Sequence, residues 1–399
     1  MRPTTRLFAA RALRDFGDGC VAILLPAHLL ALGHSSLEVG VLATASLLGS
    51  AVLTIGAGLA GARFDLRHLL IAAAGLMIAT GIAFATLEDY APLLLVAFIG
   101  TVNPSAGSVS VFVPLEHAAL TAAVDDRTRT ASFARYGFVG TLAAAAGALA
   151  AGAPAFAPRL GLESATVMRA MFGLYALLGL AGGFLYARLP RRRAPRAAKA
   201  PSALGPSRRI VIRLAALFSL DAFAGGFVVQ SLLALWLFER FDLPLQAAGT
   251  FFFCSGLLSA ASFPVAAWLS RRIGLVNTMV FTHLPSSVAL ILAAFAPTLP
   301  LALGLLLVRA ALSQMDVPTR SSYVMSVVSE AERAAAASFT SVPRSLAATA
   351  SPALAGAMIA AGFRSGPLLV CGVLKIAYDL LLLWQFRHLR PPEERAAPE

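Results

Sequence analysis

The sequence predicts an all-α integral membrane protein that crosses the bilayer about twelve times. The 399 residues are 58% hydrophobic and only 13% charged, and the mean hydropathy is +0.78. A soluble domain of this length could not bury so much apolar surface in its core. In hydrocarbon each backbone amide must be paired within its own segment, so the apolar runs of about twenty residues indicate helices. No segment alternates in polarity like the strand of a membrane barrel.

Six apolar segments precede a basic stretch, and six follow it. The predicted spans of the first half are 12–33, 37–60, 69–87, 91–115, 130–152 and 168–189. Those of the second half are 211–238, 246–269, 275–296, 299–325, 338–361 and 366–386. Residues 190–209 are rich in Pro, Ala, Arg and Lys, which is typical of a flexible linker. We therefore expect a six-helix bundle over 1–189, a linker over 190–209, and a second six-helix bundle with a short tail over 210–399.

The basic residues indicate the orientation in the membrane. The net charge is +12, and most of the arginines fall in alternate loops, which is the positive-inside pattern of a plasma-membrane protein with both termini in the cytoplasm. This distribution explains the positive charge by topology and contact with anionic lipid, so no nucleic acid is expected as a partner. The basic and then apolar N-terminus could also be a signal peptide, but Asp15 and Asp18 interrupt the apolar run and favour a first membrane helix.

Short matches between the halves indicate a duplication. Asp15 and Gly19 in the first span have the same spacing as Asp221 and Gly225 in the seventh. Likewise, Asp126-Arg127 precedes Ser132-Phe133 by the same distance as Glu332-Arg333 precedes Ser338-Phe339. Parallel six-helix repeats of this kind are known in secondary transporters.

The two halves, the basic linker, and the short basic loops after the second and eighth spans together resemble the major facilitator superfamily. The first loop contains Gly58, Arg63, Asp65 and Arg67, with Ala62 where the family signature has Asp and Asp65 where it has Gly. The loop after the eighth span keeps Arg272 and Gly274. The fifth span has Gly137, Gly140 and Gly147 but lacks the Gly-Pro pair that family drug antiporters often carry there.

This resemblance implies a secondary transporter whose first, fourth, seventh and tenth helices line a central cavity. The candidate residues for binding the substrate are Asn103, Gln230, Arg309, Ser313 and Asp316. On a continuous tenth helix, Arg309, Ser313, Asp316 and Arg320 would share one face, with Arg309 binding an anionic or polar group. The alternative is an Asp316–Arg320 pair with only a structural role, and the small polar residues near Asn103 are equally typical of close helix packing.

Charged residues at membrane depth are costly, so they indicate a proton-coupling site or a gate. Such candidates are Asp15, Asp18, Arg135, Asp221, Arg320 and Arg344. We expect Asp15 or Asp18 to pair with Arg135, and Asp221 to pair with Arg344. Lys375 and Asp379, four residues apart in the twelfth span, are expected to form a local pair.

The sequence contains no enzyme signature. The six histidines are scattered, and no metal motif, nucleophile elbow or phosphate-binding loop is present. Cys20, Cys254 and Cys371 lie far apart inside apolar segments, which indicates core residues and no disulfide. We therefore expect no cofactor and no metal, and a monomer whose partners are a small-molecule substrate, protons and membrane lipid. Resemblance to bacterial efflux permeases favours proton-coupled efflux; proton-coupled uptake and a non-transporting sensor are the alternatives.

Overall fold

The computed structural model describes residues 3–61, 64–106, 110–190, 205–329 and 332–387. In these ranges the regular elements are fifteen α-helices and one short 3-10 helix. The helices of the first half are α1 (Pro3–Ala31), α2 (Ser36–Gly61), α3 (Leu66–Thr86), α4 (Tyr90–Ile99), α5 (Phe112–Thr121), α6 (Asp126–Ala150) and α7 (Ser164–Ala187). Those of the second half are α8 (Arg208–Gly226), α9 (Gln230–Phe241), α10 (Leu245–Ile273), α11 (Leu275–Ala294), α12 (Leu299–Ser313), α13 (Asp316–Ser326), α14 (Arg333–Ala360) and α15 (Gly366–Phe386).

Nine segments of the described chain are long and apolar enough to cross a membrane. Three further predicted spans fall outside this set for physical reasons. Helix α1 carries several charged residues, and the fourth span is divided between α4 and α5. Helix α14 is rich in alanine, serine and threonine rather than in large apolar residues. The first predicted span is nevertheless one long helix, and α15 coincides with the predicted segment 366–386.

The fourth, seventh and tenth spans are broken, although the sequence predicts each as one helix. The segment 91–115 is divided between α4 and α5, and 211–238 between α8 and α9. The tenth span breaks between α12 and α13, close to Pro318, which has no amide hydrogen to donate to the carbonyl of Gln314. Ala106, in the break of the fourth span, has a φ of 49°, which no continuous helix allows. The prediction of three continuous helices was wrong at these points.

One compact unit is formed by the described parts of Met1–Ala197 together with Val229–Gly256 and Pro352–Gly362. Helix α1 packs along α6 and α7 in this unit. Gly19 faces the backbone of Ala144, and Gly147 faces the backbone of Phe16, so closely that a Cβ atom at either glycine would overlap the opposite helix. Glycines of this kind let two membrane helices approach until their backbones touch.

Segments of the second half also pack against α2 in this unit. A Cβ atom at Gly40 would lie 2.6 Å from the carbonyl oxygen of Pro352 and 2.9 Å from Cα of Gly356. Beside this crossing, the amide of Ala353 donates to Thr44 Oγ1 at 3.0 Å. Near the start of α2, Ser36 Oγ donates to Glu239 Oε1 at 2.9 Å. The N-terminal half of α2 is thus held by backbone contact and by two hydrogen bonds.

The other unit comprises the described parts of Ala198–Val228, Leu257–Ser351 and Phe363–Glu399. Helix α11 is central, with α12, α13 and α15 packed against it, and α15 also contacts α8. The core includes Val211, Phe218, Met279, Tyr323 and Tyr378.

A polar contact ties the start of α8 to the segment before α14. The carboxylate of Glu332 accepts hydrogen bonds from Ser329 Oγ at 2.7 Å, Ser207 Oγ at 2.8 Å and the amide of Gly205 at 2.6 Å. These donors hold the pKa of Glu332 below its ordinary value of 4.5, because they stabilise the ionised carboxylate. The end of the predicted linker is therefore anchored through Glu332.

Candidate functional site

Four of the predicted substrate-binding residues lie where the helices break. Asn103 lies in the break between α4 and α5, and Gln230 is the first residue of α9. Ser313 is the last residue of α12, and Asp316 is the first residue of α13. In the first unit, the amide of Ser231 donates to the carbonyl oxygen of Pro104 at 3.0 Å, which brings two of these breaks together. Irregular backbone at membrane depth is tolerated where it is buried in protein or lines a polar cavity. Helix breaks of this kind often form transporter binding sites.

Asn103 also has a structural role in its own loop. Its side-chain Oδ1 accepts a hydrogen bond from the amide of Ser105 at 2.9 Å, and the side chain is buried. An asparagine that bonds two residues ahead mimics a backbone turn and stabilises the departure from helical geometry.

The first unit contains a buried group of ionisable side chains on α1 and α5. We call Arg11, Arg14, Asp15, Asp18 and Glu116 the first charged cluster. Nη1 of Arg14 lies 2.9 Å from Asp15 Oδ1 and 3.3 Å from Asp18 Oδ2, and Nη2 lies 3.1 Å from Glu116 Oε2. The side chain of Arg14 is 2% exposed and that of Glu116 is fully buried. Arg11 is nearer the surface, and its Nε lies 2.5 Å from Asp15 Oδ2.

Three tyrosines from other helices complete the hydrogen bonding of this cluster. Tyr136 and Tyr186 both donate to Glu116, the latter at 2.6 Å. The hydroxyl of Tyr175 lies 3.1 Å from Asp18 Oδ1 and 3.0 Å from the carbonyl oxygen of Thr101, and its single proton can serve one of the two at a time. The cluster is thus connected to α6, to α7 and to the break of the fourth span.

The expected pairing of Asp15 or Asp18 with Arg135 was wrong for this structure. Arg135 is exposed on α6, whereas Arg14, on the same helix as both carboxylates, reaches them without crossing to a neighbour. The i,i+4 spacing of Arg11 with Asp15 and of Arg14 with Asp18 favours such local pairs.

The second unit contains a corresponding group, the second charged cluster: Asp221, His283, Asp316, Arg320, Lys375 and Asp379. Nζ of Lys375 lies 2.6 Å from Asp221 Oδ1, and Nη2 of Arg320 lies 3.4 Å from Asp221 Oδ2. Arg320 also pairs with Asp316 on its own helix. Nδ1 of His283 lies 3.0 Å from both carboxylate oxygens of Asp379. Four helices, α8, α11, α13 and α15, therefore meet through charged side chains.

Two expected pairs in this half were also wrong. Asp221 is paired with Lys375 and Arg320 rather than with Arg344, whose Nε has no hydrogen-bond partner among the described residues. Lys375 and Asp379 do not pair with each other, because each reaches across to another helix.

The Asp316–Arg320 pair is present, and the break before α13 separates both residues from the helix that carries Arg309. The single polar face predicted for the tenth span is therefore divided.

Arg309 differs from the clustered cations. It lies on α12, and its backbone oxygen accepts a 3.4 Å hydrogen bond from Ser286 Oγ. No carboxylate of the described chain lies within 4.0 Å of its guanidinium, whereas Arg14, Arg320 and Lys375 each have carboxylate partners. A half-buried guanidinium without a carboxylate can accept an anionic or polar ligand.

The residues of the loop signature have local structural roles where they are described. Asp65 caps α3, because its Oδ1 accepts a 2.8 Å hydrogen bond from the amide of Arg67. Arg272 lies over the ring of Trp268 at 4.4 Å. Gly274 precedes α11 with a φ of 85°, which favours glycine. Gly58 is exposed in the last turns of α2, and Arg63 lies outside the described residues.

Gly140 on α6 provides a first test of the first charged cluster. A Cβ atom there would collide with the carboxylate of Asp15 and with Arg11 Nε, whereas Gly137 on the same helix has nothing within 4 Å. We expect Gly140→Ala to destabilise the protein by about 1–3 kcal/mol. Gly137→Ala should be neutral or stabilising by up to about 1 kcal/mol. Thermal unfolding of both variants in detergent measures the difference, and equal melting temperatures would contradict the assigned contact.

The sequence analysis missed Arg14, Glu116 and His283. Arg14 stands between Arg11 and Asp15 in one apolar segment, and its position alone was a signal of a buried charge. Glu116 lies just beyond the predicted end of the fourth span, so its depth was not apparent. His283 lies alone in an apolar segment, and its partners come from residues 62 or more positions away in the chain. Cys254, expected in the core, is exposed, while Cys20 and Cys371 are buried.

Comparison with known proteins gives consistent matches over nearly the whole chain. The family model described as Major Facilitator Superfamily matches residues 7–312 and 222–399. An uncharacterized membrane protein of Saccharomyces cerevisiae, YJR124C, is 22% identical over 416 residues, which cover 95% of this chain and 93% of the yeast protein.

Two solved structures are similar at low sequence identity. The D-xylose-proton symporter is 15% identical with a TM-score of 0.78, over 96% of this chain and 97% of the symporter. A bacterial homolog of the human lysosomal transporter Spinster, inward-facing and occupied, is 15% identical with a TM-score of 0.76, over 97% of each chain. The predicted fold class is confirmed: an all-helical membrane protein with twelve spans in two bundles.

Proposed function

The chain belongs to the major facilitator superfamily, and from this membership and its two charged clusters we propose that it exports a small solute in exchange for protons. Membership establishes a secondary transporter of a small molecule, and not an enzyme. Proton coupling and outward direction are the further steps of the proposal. Uptake by proton symport is the alternative, since the same fold supports both directions.

The charge of the first cluster is the observation that carries proton coupling. Among the residues that the structure describes, the carboxylates of Asp15, Asp18 and Glu116 are matched by two guanidiniums, those of Arg11 and Arg14. A bound proton would neutralise the remaining negative charge in a buried site, where uncompensated charge is costly. Asp18 is our candidate for the residue that binds this proton. Its Oδ2 lies 3.3 Å from Nη1 of Arg14, whereas Asp15 and Glu116 each have an oxygen closer to a guanidinium nitrogen. A structural relative that is a proton symporter supports this coupling in the same fold.

Arg309 is our candidate for binding an anionic group of the solute. Its guanidinium has no carboxylate within 4.0 Å in the described chain, while Ser313 lies one turn further along α12. Asp316 is paired with Arg320, so its proposed role is to hold that arginine. Asn103 and Gln230, at helix breaks of the first unit, are proposed separately as hydrogen-bonding groups for the solute.

The remaining elements of the proposal concern topology. We propose that both termini and the linker over 190–209 lie in the cytoplasm of a plasma-membrane protein, with 1–189 and 210–399 as the two moving bundles. Asp15, Asp18, Asp221, Arg320 and Arg344 are then proton-coupling or gating residues near the cytoplasmic end. Arg135 is exposed on α6. We propose that it contacts Asp15 or Asp18 only in another conformational state of the transport cycle.

Cellular accumulation of a diverse panel of small solutes tests the proposed function. Each solute is measured in cells with and without the protein, before and after a protonophore collapses the proton gradient. We expect at least one anionic solute to accumulate less in the presence of the protein, and the protonophore to abolish the difference. Increased accumulation that the protonophore abolishes would establish uptake instead. A protein-dependent difference that survives the protonophore would contradict proton coupling.

Replacing Arg309 tests the assignment of the solute. We expect Arg309→Gln to raise the half-saturating concentration for an anionic solute by about 10-fold or more, since a hydrogen bond to a charged group contributes about 1.5–3 kcal/mol. Arg309→Lys should retain part of the affinity, because the charge remains. Arg169→Gln, which alters a surface pair with Glu88, is the matched control and should have no effect. An unchanged half-saturating concentration in Arg309→Gln would exclude this residue from the site.

A further inference from the structure

The second charged cluster contains a histidine whose two ring nitrogens face groups of opposite charge. Nδ1 of His283 lies 3.0 Å from both oxygens of Asp379, and Nε2 lies 3.3 Å from Nζ of Lys375. The side chain of His283 is 3% exposed, and that of Asp379 is fully buried. A buried histidine between a carboxylate and an ammonium has its hydrogen positions determined by these neighbours.

The neighbours fix the tautomer of the neutral ring. Asp379 accepts hydrogen bonds, so the ring proton lies on Nδ1 and is donated to that carboxylate. Lys375 can only donate, so Nε2 carries the lone pair that accepts from Nζ. The same ammonium donates to Asp221 Oδ1 at 2.6 Å. In this state Lys375 joins α15 to both α11 and α8.

Protonation of His283 is incompatible with this arrangement. A proton on Nε2 removes the acceptor of Lys375 and leaves two positive charges 3.3 Å apart. Asp221 Oδ1 lies 3.9 Å from Nε2, so the imidazolium can take the place of Lys375 as the partner of that oxygen. The other oxygen of Asp221 remains near Arg320, at 3.4 Å.

We propose that His283 is a proton-binding site of the second half, and that its protonation displaces Lys375 from Asp221. The proton exchanges an α8–α15 ion pair for an α8–α11 ion pair and so removes the ionic contact between α15 and α8. Loss of the proton restores the first arrangement. The inference rests on the proposed proton coupling, because it names where a coupling proton binds and which helix contact it changes.

The surroundings of His283 contain further groups that influence this equilibrium. They are Asp221 from α8, Asp316 and Arg320 from α13, and Lys375, Tyr378 and Asp379 from α15. Arg344 of α14 acts on the cluster through Asp221 and Arg320, and Arg309 of α12 is joined to α11 by its backbone oxygen, which accepts from Ser286 Oγ. Asp316 is occupied by Arg320, and the ring of Tyr378 packs edge-on against the histidine. His283 is the group in contact with both Lys375 and Asp379.

The signal of Lys375 can be isolated, because Lys199 is the only other lysine of the chain. The measurement needs no solute. Lys199→Arg therefore gives a protein with one lysine, whose ε-carbon and ζ-nitrogen can be isotope-labelled and followed by NMR in lipid nanodiscs. We expect the Lys375 signal to move as the pH is lowered from about 8 to about 5, the range in which histidines titrate. Absence of any shift in the folded protein would overturn the inference, whether or not solute transport is proton-coupled.

Two histidine variants test whether the pH-dependent shift of the Lys375 signal arises from protonation of His283. His283→Gln preserves the neutral arrangement, since the glutamine amide can donate to Asp379 and accept from Lys375 but cannot bind a proton. We expect this variant to abolish the shift. His28→Gln replaces another buried histidine that lies outside both clusters, and it should leave the shift unchanged. A shift that persists in His283→Gln would place the proton on another group and overturn the inference.

Asp379→Asn keeps the inference testable if His283→Gln does not fold. It removes the negative charge beside the imidazole, so protonation should require a lower pH. We expect the midpoint of the Lys375 shift to move to lower pH by about one unit or more. An unchanged midpoint would contradict the role of Asp379 in holding the protonated ring.

Discussion

Replacing Arg14 with glutamine is expected to abolish transport and to leave little folded protein. Arg14 contacts Asp15, Asp18 and Glu116, and all four side chains are at most 2% exposed. Removal of one partner from a buried ion pair costs about 3–5 kcal/mol, because the remaining charge is left uncompensated. Here three carboxylates would lose their common partner. Size-exclusion chromatography of the detergent-solubilised variant, followed by thermal unfolding, measures this loss.

Arg11→Gln is the matched control for Arg14→Gln. Arg11 is 12% exposed and pairs with one carboxylate, that of Asp15, and with Tyr136, so a smaller loss of stability is expected. Glu116→Gln in the Arg14→Gln background removes one negative charge with the positive one, and should recover part of the folded protein. Equal effects of the two arginine variants, with no recovery in the double variant, would contradict the central place of Arg14 in the cluster.

Replacing Gly40 with leucine is expected to reduce transport by at least about five-fold while the protein still folds. The backbones of α2 and α14 touch at this point, since a Cβ atom at Gly40 would lie 2.6 Å from the carbonyl oxygen of Pro352. A leucine there costs about 1–3 kcal/mol in this arrangement. In a protein that alternates between states, such a cost shifts the population toward a state in which α2 and α14 are apart.

Thiol labelling measures that shift directly. In a background with Cys254→Ser, Thr44→Cys places a thiol at the α2–α14 contact, where Thr44 now accepts from the amide of Ala353. We expect a membrane-impermeant maleimide to label this cysteine faster in Gly40→Leu than in the parent. Gly56→Leu is the control on the same helix, because nothing lies within 4 Å of Gly56. Equal labelling rates in all three proteins would contradict the predicted separation of α2 from α14 in Gly40→Leu.

Much of the fold was predictable from the sequence because lipid imposes a simple rule. Long apolar segments in a bilayer must be helices, so segments such as 275–296 and 366–386 predict α11 and α15 closely. The helix breaks were harder to predict. Pro104 and Pro318 were visible, but a proline in a membrane segment can also kink a continuous helix, and only tertiary packing decides between the two.

The candidate site was only partly predictable. Asp15, Asp18, Asp221 and Arg320 were recognisable because ionisable residues in apolar segments are costly and must have partners. Their partners were not recognisable, because a charge can be compensated along its own helix or across to any neighbour. Arg14 compensates carboxylates one and four residues away, whereas Lys375 reaches a residue 154 positions earlier. Spacing along the chain favours the first kind of pair and carries no information on the second.

The central claim, that the protein exchanges solute for protons, can be tested with purified protein in liposomes that contain a trapped pH-sensitive dye. An outwardly directed gradient of a solute identified by the accumulation assay is imposed without a pH gradient. The account predicts that the solute gradient moves protons in the opposite direction to the solute, and that liposomes with Arg309→Gln protein do so more slowly. Solute movement through the protein with no change in internal pH would contradict it.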